Sequence, residues 1–76
     1  MDITNDSNQV SSLTQAINLV ETQINELRAT TANLRAKASQ AYKEGNEKEA
    51  DRLNRQVKHK DLEIAALESK KESLNS

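Results

Sequence analysis

The residues best equipped for chemistry lie in "RQVKHK", residues 55–60. With Arg52 just upstream, Arg55, Lys58, His59 and Lys60 form the most basic stretch of the chain, of the kind that contacts phosphate oxygens. Asp51, Asp61 and Glu63 flank it, no aromatic side chain stands by to stack on a base, and a helix would scatter the charges around its barrel. A solvated helix face is the preferred reading, and nucleic-acid binding ranks last among the functions weighed below. His59 is the only histidine, and the chain has no cysteine, so it lacks companions for a metal site. Serines and threonines are plentiful near the N-terminus, but none can be paired with an activating base. No catalytic, cofactor-binding or metal-binding residue is assigned, no cofactor is expected, and the chain reads as a non-enzyme.

Composition explains why a dry catalytic pocket is not expected. Of 76 residues only 34% are apolar, and Tyr42 is the single aromatic, so burial must come from aliphatic seams between helices. Ala, Leu, Glu, Lys, Gln and Arg dominate, all good helix formers, and proline is absent. Apolar runs are only a few residues long, well short of a membrane span. The N-terminus lacks the basic start and apolar stretch of a signal peptide, which leads to an expected cytoplasmic location. A net charge of −1 with both signs interspersed argues against a partner held by bulk electrostatics.

The elements that must position any contact are written in the heptad pattern. Small or apolar residues fall at Val10, Leu13, Ile17, Val20, Ile24, Leu27, Thr31, Leu34, Ala38 and Ala41, with spacings alternating three and four. This is an a/d seam. A second seam follows at Ala50, Leu53, Val57, Lys60, Ile64, Leu67, Lys71 and Leu74. Continuing the first phase beyond Ala41 would put Gly45, Lys48, Arg52 and Arg55 in the core, so the phase breaks at the chain's only glycine. Gly45 suits the left-handed residue that ends a helix, and Asn46 suits the N-cap of the next. Glu49, three residues on, completes a variant of the capping box.

The predicted fold is all-α: an antiparallel two-helix coiled-coil hairpin occupying residues 9–76 as one domain. Helix 1 is expected over about 9–44, the turn at Gly45-Asn46, and helix 2 over about 47–74, with residues 1–8 disordered or fraying. Asp6 with Gln9, or Ser12 with Gln15, would cap helix 1. Pairing residues whose numbers sum to 91 gives the layers Ala41–Ala50, Ala38–Leu53, Leu34–Val57, Thr31–Lys60, Leu27–Ile64, Ile24–Leu67, Val20–Lys71 and Ile17–Leu74. At 1.5 Å per residue the hairpin would be about 45 Å long. On one flank Arg28 is expected beside Asp61, and Glu21 beside Glu68. Lys60 either fixes the register or, as preferred, lays its stem over the seam and sends its ammonium to water.

One seam, open to water on two sides, does not hold a chain of this size by itself, so a dimer making a four-helix bundle, or a partner helix, is expected. Val10 and Leu13 continue the seam beyond the reach of helix 2. They form, with Ile17, Val20 and Leu74, the predicted partner-binding groove for a helix of another protein or of a second copy. Leu62, aligned with Ala66 and Ser69, and the small residues Ala29, Ala32, Ala36 and Ser39 are candidate outer-face contacts.

"AYKEGNEKEA", residues 41–50, resembles the inter-helix turn of a tetratricopeptide repeat, in which a Gly-Asn or Gly-Asp precedes an Ala five residues beyond the glycine. Gly45 and Ala50 match; the repeat's earlier Leu-Gly is replaced by Lys37 and Ala38, and there is no second copy. Over the whole chain, a polar N-terminus, long first helix, glycine turn and second helix ending "ALESKKE" resemble the small helical-hairpin co-chaperones of type III secretion needle proteins. That resemblance implies a hairpin that holds an aggregation-prone secretion subunit together with a second chaperone. The expected function is accordingly that of a small bacterial or phage helper that binds a protein through a coiled-coil seam. The alternative is a self-assembling structural protein or a phage scaffold or inhibitor.

Overall fold

The computed structural model describes the backbone of residues 2–76 and the side chains of residues 12–76. Two helices, α1 (Asp2–Lys43) and α2 (Glu47–Asn75), pack against each other as an antiparallel hairpin. α1 starts at Asp2, upstream of the start near residue 9 that the sequence suggests. Neither Asp6 nor Ser12 ends the helix. Nothing upstream of them breaks it, because that stretch has no Gly or Pro, and Asp2 and Asp6 favour the positive end of the helix dipole. The molecule extends 66 Å, longer than the expected 45 Å, because α1 has 42 residues and α2 only 29.

The turn is a Schellman motif fused to an N-cap. Gly45 has φ +79°, its N–H donates to the Tyr42 carbonyl at 3.0 Å, and the Asn46 N–H donates to the Ala41 carbonyl at 2.8 Å. Asn46 then begins α2: its side-chain oxygen accepts from the Glu49 N–H at 3.4 Å, and its carbonyl accepts from the Ala50 N–H at 3.1 Å. The reciprocal half of the capping box does not form. The Asn46 N–H is already engaged by α1, and the Glu49 carboxylate turns to the Arg52 guanidinium instead. That donation holds the Glu49 carboxyl below its ordinary pKa and raises that of Arg52, both at the surface.

A Cβ on residue 45 would meet nothing within 4 Å, so Gly45→Ala tests backbone strain alone. It is expected to lower stability by about 1–2 kcal/mol, the cost of a left-handed residue with a side chain. Denaturant melts followed by circular dichroism would read it. An unchanged midpoint would mean that residue 45 is not required to be left-handed.

Most of the buried residues fall into two clusters, with Val57 and Thr31 buried between them. Ala38, Ala41, Ala50 and Leu53, with Leu34 against them, form the turn-proximal core. Val20, Ile24 and Ile64, with Leu27, Leu67 and Leu74, form the distal core. Both members of the layers Ala41–Ala50, Ala38–Leu53, Leu27–Ile64 and Ile24–Leu67 share a cluster, as the register summing to 91 requires. Between the clusters stands the Thr31–Lys60 layer. Thr31 is 2% exposed, and its hydroxyl donates to the Leu27 carbonyl of its own helix at 2.7 Å. Lys60 is half-buried, and its ammonium lies 3.8 Å from a Glu63 carboxylate oxygen. The stem covers the seam while the charge stays at the rim.

The flank pairs differ from the expected ones. Arg28 bonds Glu68 at 3.3 Å, Arg35 bonds Asp61 at 3.0 Å, and Glu21 pairs with Lys71 at 3.2 Å rather than lying against Glu68. Helical side chains lean toward the N-terminus of their own helix. In an antiparallel pair, Arg28 therefore leans toward the level of Glu68 while Glu68 leans back toward Arg28. Arg28 and Asp61 lean apart.

Candidate partner-binding end of the hairpin

Where α2 ends, α1 continues. In the observed register residue 76 stands opposite residue 15, and the backbone of α1 continues from there to Asp2. At about 1.5 Å per residue this overhang is about 20 Å long. The end of α2 is closed by Ser76, whose N–H and hydroxyl both donate to the Glu72 carbonyl, at 3.1 and 2.8 Å.

The predicted contact residues separate into three environments. Leu13, on the overhang, is 46% exposed, and Ile17 and Leu74, at the last shared layer, are half-buried. Val20 is only 2% exposed: it belongs to the distal core, and opposite it the Lys71 ammonium bridges to Glu21. Its surface is already used by the hairpin. Leu62 is 69% exposed but lies along α2 on the face turned away from the seam, apart from the others. The side chain of Val10 lies outside the described residues.

Leu19 escapes a reading confined to a and d positions. It is 61% exposed and sits at heptad position c. Around the helix, positions d, g and c are neighbours. Leu13, Ala16 and Leu19 therefore widen the apolar stripe of α1 to one side, at the level where α2 runs out. A leucine off the seam, six residues beyond a seam leucine, is the signal that would have found it. Among the described residues Tyr42, 67% exposed beside the turn, is the other large exposed apolar side chain on α1.

The remaining candidates offer less. Arg52, His59 and Lys60 each face a carboxylate of their own helix, Glu49 or Glu63, with His59 at 3.9 Å from Glu63. This is how a solvated face is arranged. Ala29, Ala32, Ala36 and Ser39, like Ala66 and Ser69, are all exposed. Among the described residues no helix is long and apolar enough to cross a membrane. Compared with protein-family models, curated proteins and solved structures, the chain matches none of them, so its function must be argued from its own residues.

Proposed function

We propose that the protein is a non-enzymatic protein–protein interaction module, a small chaperone-like helper that takes a helix of another protein along the free end of its seam. The observation that carries this is the exposed apolar surface of α1 around Leu13 and Leu19. Leu13, on the seam, is 46% exposed beside a half-buried Ile17, and Leu19 is 61% exposed on the same side of α1. A surface of this kind accepts aliphatic anchors repeating at three and four residues, the helix-in-groove mode. The resemblance to co-chaperones of type III secretion needle proteins fits this reading, as does a cytoplasmic, bacterial or phage setting. A photo-crosslinking residue at position 13 tests it in expressing cells. Adducts with a different protein are expected from position 13 and not from position 29 on the outer face. Adducts made only of the chain itself would replace this reading with that of a self-assembling structural or scaffold protein.

A further inference from the structure

We infer that two copies of the hairpin pack face to face through the side of the seam that no ion pair closes, about a two-fold axis parallel to the long axis, making an antiparallel four-helix bundle. This contact is separate from the Leu13–Leu19 surface on which the proposed function rests.

The two sides of the seam are built differently. On one, Glu21, Arg28 and Arg35 of α1 bridge to Lys71, Glu68 and Asp61 of α2 beside the buried Ile24 and Ile64. Among the described residues these are all the ion pairs between the helices. On the other side Gln23, Glu26 and Thr30 line a groove with Leu27 and Leu67. Nearer the turn, Lys37 and Glu44 share that side with Leu34, Arg52 and Gln56. Leu27, Leu34 and Leu67 are left half-buried there, and no charge crosses the seam to cover them.

Charge selects a second copy as the occupant. A two-fold axis along the hairpin leaves no register to adjust: each layer faces the same layer of the copy, so α1 meets the copy's α2 in the register it keeps with its own. Side chains lean toward their helix N-termini, and the observed pairs Arg28–Glu68 and Arg35–Asp61 both join residues whose numbers sum to 96. Between copies the same lean sets c positions of one helix against g positions of the other throughout. It joins Glu26 to Lys70 and Glu44 to Arg52 of the second copy, each twice by symmetry. Thr30 then meets Ala66, Asn33 meets Glu63, and Lys37 meets His59, which is charged only when protonated. Glu26 and Lys70 are exposed and, among the described residues, belong to no ion pair within the hairpin. An inverted copy, its axis across the hairpin, would pair Glu26 with Lys37 but turn Glu44 against Leu19.

The area is sufficient. From the level of Gln23 to that of Glu44 the shared face is about 32 Å long and, at two helices across, about 20 Å wide. That is about 640 Å² per copy and about 1,300 Å² in all, inside the range of about 1,200–2,000 Å² of specific interfaces.

The test uses the full chain. Sedimentation equilibrium of the purified protein is expected to give a dimer. Glu26→Lys and Lys70→Glu are each expected to raise its dissociation constant at least about 10-fold, since each turns two attractive contacts into repulsive ones. Mixing the two variants should bring the constant back to about its wild-type value, because the heterodimer has opposite charges at both contacts. Each chain in that mixture still carries one substitution, so the restoring partner can only be on the other copy. Both positions are exposed, and unchanged helicity by circular dichroism separates lost association from lost folding. Leu13→Asp and Leu62→Asp are expected to leave the constant unchanged. A wild-type monomer up to millimolar concentration would overturn the inference, as would a mixture that associates no more tightly than either variant alone. Glu26→Lys restored by Lys37→Glu instead of Lys70→Glu would mean an inverted copy and overturn it. A dimer lost in Leu13→Asp or Leu62→Asp would overturn it by placing association on another surface. None of these results touches the position-13 adducts, on which the helper reading stands or falls.

Discussion

Ala50→Leu is expected to destabilise the hairpin by about 2–3 kcal/mol, although it adds apolar surface to a chain with little of it. Ala50 is 0% exposed, and its neighbours across the seam, Ala41 and Ala38, are 6% and 4% exposed. Three small residues in adjacent layers let the helices approach closely where a turn with only three residues between helices joins them. A leucine there needs the helices to part. The turn resists, because Asn46 is hydrogen-bonded to both helices through Ala41 and Glu49. Strain is therefore expected to exceed the gain from burying the larger side chain. Urea unfolding followed by circular dichroism would measure it, and stability equal to or above that of the parent would show that the helices are not tightly apposed at this level.

Ile24→Ala attacks the opposite half. Ile24 is 4% exposed and packs with Val20 and Ile64 in the distal cluster, so losing three carbons is expected to cost about 2–4 kcal/mol, transfer and cavity together. Its location matters more than its size. The Thr31–Lys60 layer separates the two clusters and contributes little apolar contact between them, so the halves should open separately. In Ile24→Ala, amides of residues 16–30 and 62–75 should lose exchange protection by a factor of roughly 30–1,000, the equivalent of that free energy. Those of residues 34–57 should hold. Protection falling equally in both halves would show a single cooperative unit, with the polar layer no boundary at all.

The hairpin was legible because each of its determinants is local in sequence. Two unbroken three-four alternations specify two seams, and one Gly-Asn between them, where the phases disagree, admits only a stop and a start. The flank pairs were not legible from register alone, since which carboxylate meets Arg28 depends on the lean of the side chains and not on which residues stand level. The start of α1 was illegible for a different reason. Asp6 and Ser12 are both good caps by type, but a cap residue ends a helix only where the backbone has cause to leave it, and nothing near them supplies one. At the end site, Leu13 and Ile17 announced themselves through the heptad, whereas Leu19 did not. Val20 carried the same signal as Leu13, yet it is 2% exposed in the distal core while Leu13 is 46% exposed.

The fused turn also sets an order of events. Ala41 and Ala50 are nine positions apart along the chain, whereas Ile17 and Leu74 are fifty-seven apart. Closing the first of these contacts demands only a short loop, and each further layer extends the closed segment by three or four residues on either side instead of opening a new long loop. Such a chain zips from the turn outward, with each contact made local by the one before it, the low-contact-order route that folds fast. The last region to assemble is then the distal one, where Ile17 meets Leu74. During that interval Ile17 and Val20 are without the neighbours that Leu74 and Lys71 later supply.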